Sequence, residues 1–572
     1  MTNRVAEGIA DVLAAARVPV FGVPASETMG IVVAATGRGV PTYHARHEQA
    51  AVGMADGYAR FSGRPGVAVV GRGPGFTNGL NALLTAAKAG SPVVVVTGEL
   101  PTRYRGDLAG THIFHSKNVD QGRFAELAGS AVVDLDDPER ACRGMAQAME
   151  LAARGRTVVV LARTDVLSAA LPGPAPSPRW PEAAPSPRWP EAATDDPPDS
   201  DDAPDTPDAA GVAAVADLLG EEWACRRPLL LAGRGATSAA ARAALVELGN
   251  RIGALLVTTL PAKDLFVGEP ADGGILGTLS TPEVSGLAVR SDLVLAFGAS
   301  LNPFTTYGGD LLGKARLVHV DRDPAAFGRH VEPDLTVRGD VAAVAGLLVD
   351  ELVRRDHRVE GYRTPSVLSE LAAGRAALLR PAARGDGREL LVALDGALPV
   401  DRALVVDAGA HMPLAATCLR VPHPRRFATT ALDYMSVGSA FGIAAGAAVA
   451  DPTLTTVLVI GDGGLSMALP DLQTLARYRL PVVVVVVNDS AFGQEVQLLQ
   501  LAGLPDDIAR YPHLDFAALA RSLGLEGVTL RSPADVDALT GSSDWRSPVV
   551  VDCKVATGTL GEHSALVSRL GR

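Results

Sequence analysis

Six consecutive valines, Val482–Val487, leave this chain few choices of fold. β-Branched side chains lose rotamer freedom in a helix and sit well on a pleated surface. A run with no polar alternation fits a strand that is covered on both faces, and that is the setting of a parallel sheet between layers of helices. The rest of the sequence supplies the same pattern. Apolar runs alternate with amphipathic stretches: VPVFGV, GVAVVG, SPVVVVTG and RTVVVLA come first, then RPLLLAG, ALLVTT, SDLVLAFG and ARLVHVD, and finally ALVVDAG, TTVLVIGDG, PVVVVVVND and SPVVVDC. The reading is an α/β protein of three doubly wound parallel-sheet domains.

The length, 572 residues, exceeds what one core supports. Composition marks where the chain divides. Segment 171–211 is dominated by Pro, Ala and Asp and holds PSPRWPEAA twice in tandem, at Pro176–Ala184 and Pro185–Ala193. Such a stretch cannot bury enough apolar area to offset its ordering entropy. It reads as a disordered linker and the repeat as duplicated spacer, with Trp180 and Trp189 as the only side chains on which a docking element could be built. A weaker break lies at 356–385. The expected units are therefore a first domain at 1–170, a central domain at 212–355, a last domain at 386–560 and a tail at 561–572.

Several function classes drop out. The net charge is −12 and no Lys/Arg block occurs, which argues against nucleic-acid binding. Cys142, Cys225, Cys418 and Cys553 lie far apart and form no CxxC, so they read as free thiols rather than a zinc site or disulfide scaffold. The N-terminal stretch carries acidic residues in a helical period, unlike a signal peptide, and no apolar run reaches membrane-spanning length. The expected location is cytoplasmic.

The chemistry gathers where strands end. VLVIGDGG and VVVVVVND each place a carboxylate, Asp462 and Asp489, directly after a buried strand. A buried carboxylate is costly unless a cation compensates it. Gly463 and Gly464 allow the backbone close to a ligand. The following helix favours an anion at its N-terminus. An acid beside an anion site makes sense when Mg²⁺ bridges them, since that ion combines one or two carboxylates with phosphate oxygens. Twenty-four residues separate Gly463 from Asn488, enough for one helix and one strand back to the neighbouring position.

This block resembles the diphosphate-binding motif of thiamine diphosphate-dependent enzymes, a GDG followed by paired asparagines. The resemblance implies Mg²⁺ ligation by Asp462, by Asp489 in place of the second Asn, and by the main-chain carbonyl of Ala491, with Asn488 as a fallback ligand. It also places Gly461, Gly463, Gly464, Phe492 and Gly493 at the cofactor. A second block, RHEQAAVGMADGYARFSGRPGVAVVGRGPGFTN, is similar to the family's pyrimidine-binding region and puts Glu48 on the aminopyrimidine ring, where it drives proton removal from the thiazolium. Taken alone, Glu48 reads equally as an acid stabilised at a helix start. DAGAH places Ala408, Gly409 and His411 near the diphosphate. Val437 falls where the family carries the bulky apolar residue that bends the cofactor, and Met435 stands close enough to share that task.

The domain order resembles that of acetolactate synthase-like enzymes: pyrimidine-binding, central, diphosphate-binding. In them the two cofactor domains come from different subunits, which implies a homodimer or homotetramer. The implied activity is decarboxylation of a short, pyruvate-like 2-oxo acid with transfer of the acyl carbanion to an acceptor carbonyl, an aldehyde or ketone. The alternatives are simple non-oxidative decarboxylation and, from another class, an inactive cofactor-binding subunit. Ser26, His115 and Glu495 pull toward decarboxylation. Decarboxylases carry Asp or Ser at the first position and a proton-relaying Glu at the last, which is equally readable as a helix-surface acid. His115 stands near a Gln of the synthases, or caps a loop. The synthases' specificity-setting Trp is Leu498 here. Arg72 replaces a small polar residue and reads either as a substrate-carboxylate ligand or as an interface ion pair. The central ASLNPFTTYG lacks the arginine with which acetolactate synthases hold FAD, so FAD is not expected.

Overall fold

The computed structural model describes residues 4–105, 115–173, 207–220, 226–381, 385–540 and 545–557. The tandem repeat, most of the 171–211 linker and the 561–572 tail lie outside the described residues, as does the His115 side chain.

Three six-stranded sheets carry the chain. The first is built from β1 (Val20–Gly22), β2 (Thr42–His44), β3 (Gly66–Val70), β4 (Val93–Glu99), β5 (Ala131–Leu135) and β6 (Val158–Arg163), in the order β2-β1-β3-β4-β6-β5. The central one holds β7 (Pro228–Ala232), β8 (Leu255–Thr258), β9 (Asp272–Ile275), β10 (Leu293–Phe297), β11 (Arg316–Asp321) and β12 (Leu335–Arg338), in the order β12-β11-β10-β7-β8-β9. Counted from its own first strand this is the 3-2-1-4-5-6 arrangement of dinucleotide-binding folds. The last sheet holds β13 (Arg402–Val406), β14 (Phe427–Thr429), β15 (Thr455–Gly461), β16 (Val482–Asn488), β17 (Glu526–Leu530) and β18 (Val549–Lys554), in the order β14-β13-β15-β16-β18-β17. Every described ladder pairing in them is parallel.

The valine run is β16, and its burial explains its composition. Val482, Val484 and Val486 enter a core shared with the first sheet, while Val483, Val485 and Val487 enter a second core on the opposite face. Period-two side chains with both faces covered need no polar position. Burying six valines contributes on the order of 10 kcal/mol. A buried ion costs several kcal/mol. The strand can therefore hold an acid at its end at a net gain.

The shared core exists because two helices meet backbone to backbone. Glu48–Ser62 crosses Ala440–Ala450 through glycines on both sides. A Cβ on Gly57 would come 2.0 Å from the Ile443 carbonyl oxygen, and one on Gly446 would come 2.0 Å from that of Met54. The connecting segment 356–385 is not featureless: it forms the helix Pro365–Leu378, capped by Thr364, and packs Leu371 into the central core. Among the described residues no helix is long and apolar enough to cross a membrane.

Candidate functional site

The strand order of the last sheet reverses between β13 and β15, and ligands in such sheets bind beyond the carboxyl ends at that point. The first residues past β13, β15 and β16 are Asp407, Asp462 and Asp489, all buried. Their environments differ, and so do their roles.

Asp407 is a fastener. Its carboxylate accepts the N–H of Gly438 (2.7 Å), the N–H of Ala440 (3.3 Å) and the Thr430 hydroxyl (3.2 Å), tying the start of the Ala440–Ala450 helix to the sheet. Full burial pushes its pKa up to about 7 despite these donors. A Cβ on Gly464 would lie 2.6 Å from its Oδ2, so only glycine fits there.

Asp462 and Asp489 are unfinished. Asp462 Oδ1 accepts the Gly463 N–H at 2.9 Å, but its Oδ2 and the Oδ2 of Asp489 are buried with no hydrogen-bond partner. Burial raises the pKa of Asp462. Burial, then the charge of Asp462, pushes Asp489 up to about 7. A Cβ on Gly493 would sit 2.7 Å from Asp489 Oδ2, so a side chain there would displace that carboxylate. Ala491 is buried, and Ser490 before it takes a left-handed φ of 57° that turns the loop. Asn488 donates through its Nδ2 to the Leu514 carbonyl (3.0 Å) and to Asp552 (2.9 Å), while its Oδ1 is buried with no hydrogen-bond partner.

His411 closes another side. Its ring lies across Gly409 and Gly461, 3.0 and 3.2 Å from where their Cβ atoms would be, and its Nε2 has no partner. Burial lowers its pKa to about 4, so the ring is neutral at physiological pH. Ala408 is buried beside it. Val437 is half-buried next to Gly438, whose φ is +80°, while Met435 is 59% exposed. Phe492 roofs Gly463 with its ring.

Two orphaned anionic oxygens and a glycine-lined cradle fit a hard cation that brings further oxygen ligands of its own. Among the described residues no three His, Cys, Asp or Glu side chains converge as a metal cage. A pair of carboxylates is what an ion retaining phosphate and water ligands requires.

The first sheet presents a second group at its own switch point, between β1 and β3. Glu48 opens its helix, and its Oε2 accepts the Asn78 amide at 3.0 Å. The GPG turn passes close by: Gly75 would bring a Cβ to 3.4 Å from Glu48 Oε1, and Gly73 (φ +64°) has no room beside the Lys117 carbonyl. Arg72 is buried, with its Nη1 on Asn118 Oδ1 at 2.8 Å. Ser26 is exposed and donates to Glu27, which pairs with Lys117 at 3.0 Å. Glu495 is exposed in the first turn of the helix Gly493–Leu501. Among the described residues no hydrogen bond or ion pair joins Glu48 to the Asp462 group. Sequence reasoning missed Asp407, although it repeats the strand-then-acid signal, and it missed Tyr511, which no local pattern announces.

Comparison with known proteins places both groups within thiamine pyrophosphate enzyme domains. Residues 3–126 match the N-terminal TPP binding domain of thiamine pyrophosphate enzymes, 212–348 match the central domain and 407–553 the C-terminal TPP binding domain. The acetolactate synthase large subunit of Parasynechococcus marenigrum is 31% identical over 525 residues, covering 90% of this chain and 80% of its own. A probable acetolactate synthase large subunit of Methanocaldococcus jannaschii is 27% identical, covering 89% and 85%. A sulfoacetaldehyde acetyltransferase of Castellaniella defragrans is also 27% identical, covering 90% and 86%.

Proposed function

Because this chain belongs to the thiamine pyrophosphate enzymes of the acetolactate synthase type, we propose that it decarboxylates a short 2-oxo acid and transfers the acyl unit to an acceptor carbonyl. The observation that carries the metal half of this reading is the pair of unpartnered carboxylate oxygens at the switch point. Asp462, Asp489 and the Ala491 carbonyl hold Mg²⁺, which anchors the diphosphate. The backbone at Gly461, Gly463, Gly464 and Gly493, with Ala408, Gly409, His411 and Phe492, shapes the pocket. Val437 supports the cofactor from below. When bound, thiamine diphosphate supplies a carbon nucleophile that attacks a 2-oxo acid and stabilises the charge left when CO₂ departs.

Glu48 holds the proton position that makes that nucleophile available, accepting a hydrogen bond from the aminopyrimidine while Asn78 fixes its other side. The Glu48 of one subunit faces the Asp462 pair of another, as the resemblance to acetolactate synthase-like enzymes implies. The working form is then a cytoplasmic homodimer or homotetramer. Ser26, His115 and Glu495 stand as candidates for steering the acyl unit between protonation and transfer.

The test is to incubate the protein with thiamine diphosphate, Mg²⁺ and a panel of 2-oxo acids, alone and with aldehyde or ketone acceptors. Following CO₂ and resolving products by mass should give a ligated hydroxyketone. Aldehyde as the sole organic product would overturn the transfer step, and no CO₂ from any acid would overturn the enzyme.

A further inference from the structure

Tyr511 lies outside the 461–493 block, yet the fold delivers it to the same place. Residues 509–511 run antiparallel against 490–492. The Phe492 N–H donates to the Ala509 carbonyl at 2.9 Å, the Tyr511 N–H donates to the Ser490 carbonyl at 3.1 Å, and Ala491 bridges Arg510. This short ladder fixes the Tyr511 ring edge-on to Phe492, with centroids 5.6 Å apart and planes at 74°. Its hydroxyl then hangs over the GDG glycine, 3.2 Å from where a Gly463 Cβ would stand. That hydroxyl oxygen is buried and makes no well-formed hydrogen bond.

Buried polar groups are paired in native proteins, and within the chain itself this hydroxyl turns to the Asp462 carboxylate. The groups facing this one are the two aspartates. Once a cation takes the Asp462 and Asp489 oxygens, their lone pairs point at the metal. The nearest remaining acceptor over Gly463 is whatever anion the metal brings.

Resting on the function proposed above, we propose that Tyr511 is a further cofactor-positioning residue, whose hydroxyl donates a hydrogen bond to a phosphoryl oxygen of the bound diphosphate. Hydrogen bonds to charged acceptors are stronger than neutral ones, so losing this one should weaken binding about tenfold to thirtyfold.

The test is Tyr511→Phe, which keeps the ring on Phe492 and removes only the oxygen. Calorimetric titrations with thiamine diphosphate and with inorganic pyrophosphate, each with excess Mg²⁺, should both show that loss. The melting temperature without ligand should be unchanged, which separates a lost contact from a lost fold. Affinities within twofold of wild type for both probes overturn the assignment. So does a loss seen with thiamine diphosphate but not with pyrophosphate, because the contact then lies elsewhere on the cofactor. If Tyr511→Phe proves unfolded, Tyr511→His, which restores a ring donor, should bind pyrophosphate more tightly than Tyr511→Leu; equal affinities count against the hydroxyl. Wild-type protein that binds neither probe contradicts the proposed function itself, a distinguishable result.

Discussion

Glu48→Gln should lower turnover of the 2-oxo acid by about a thousandfold, within the usual range for losing a positioned proton-handling group, while thiamine diphosphate stays bound. The change is nearly isosteric. Its amide oxygen can still accept from Asn78, which now bonds Glu48 Oε2 at 3.0 Å, and Gly75 leaves room for the other atom. Fold and assembly should therefore survive. What disappears is an anionic acceptor for the aminopyrimidine, and with it the route by which the cofactor carbon loses its proton. CO₂ release at saturating cofactor measures the loss, and calorimetry measures retained binding. Turnover within threefold of wild type would remove Glu48 from the mechanism. An inactive cofactor-binding subunit would show no activity to lose in either form, so the same experiment separates the two classes.

Asp489→Asn should stabilise the metal-free protein at pH 8 by up to about 4 kcal/mol, and by almost nothing near pH 4. The sign follows from the direction of the shift. In the folded state the Asp489 carboxyl titrates at about 7, raised by burial and by Asp462, against about 4 when unfolded. Between those values the native state holds a proton that the unfolded state has released, so stability falls as pH rises through the window. Above pH 7 the charge stands beside Asp462 and the penalty is complete. Asparagine cannot ionise, and its amide can donate to the orphaned Asp462 oxygen. Urea unfolding of both proteins at pH 5 and pH 8, without divalent ions, should show a gap that opens with pH. Adding Mg²⁺ and thiamine diphosphate at pH 8 should narrow the gap, because the cation compensates the Asp489 charge while an asparagine oxygen can still ligate it. Parallel pH profiles would mean that neither burial nor Asp462 raises the Asp489 carboxyl in the folded protein.

Much of this architecture was legible before any coordinates. The valine run could only be a doubly covered strand, and the alternation of strands and helices dictated parallel sheets. The glycines around Asp462 announced a close approach of backbone and ligand. The details that stayed hidden are those set by tertiary packing. Nothing local to Asn488 says that it turns to Leu514 and Asp552 while its neighbour Asp489 faces the site; that depends on the register of β16 against β18. Asp407 carries the same strand-end signature as Asp462, yet it is satisfied by the helix that folds back over it, so residue type and position alone cannot separate a fastener from a ligand. Tyr511 reaches the site only through a ladder of three residues. The helix Pro365–Leu378 was obscured by polar flanks, although Leu371 buries it against the central core.

The central claim is that a divalent ion sits between Asp462 and Asp489 and holds the diphosphate facing a partner's Glu48. Crystals grown with thiamine diphosphate and Mn²⁺ test it directly by anomalous scattering. The account predicts one strong peak within coordination distance of a carboxylate oxygen of each aspartate and of the Ala491 carbonyl, with the pyrimidine end against Glu48 of a second chain. A cofactor bound with no metal peak between the two aspartates, or with Glu48 remote from it, would contradict the account.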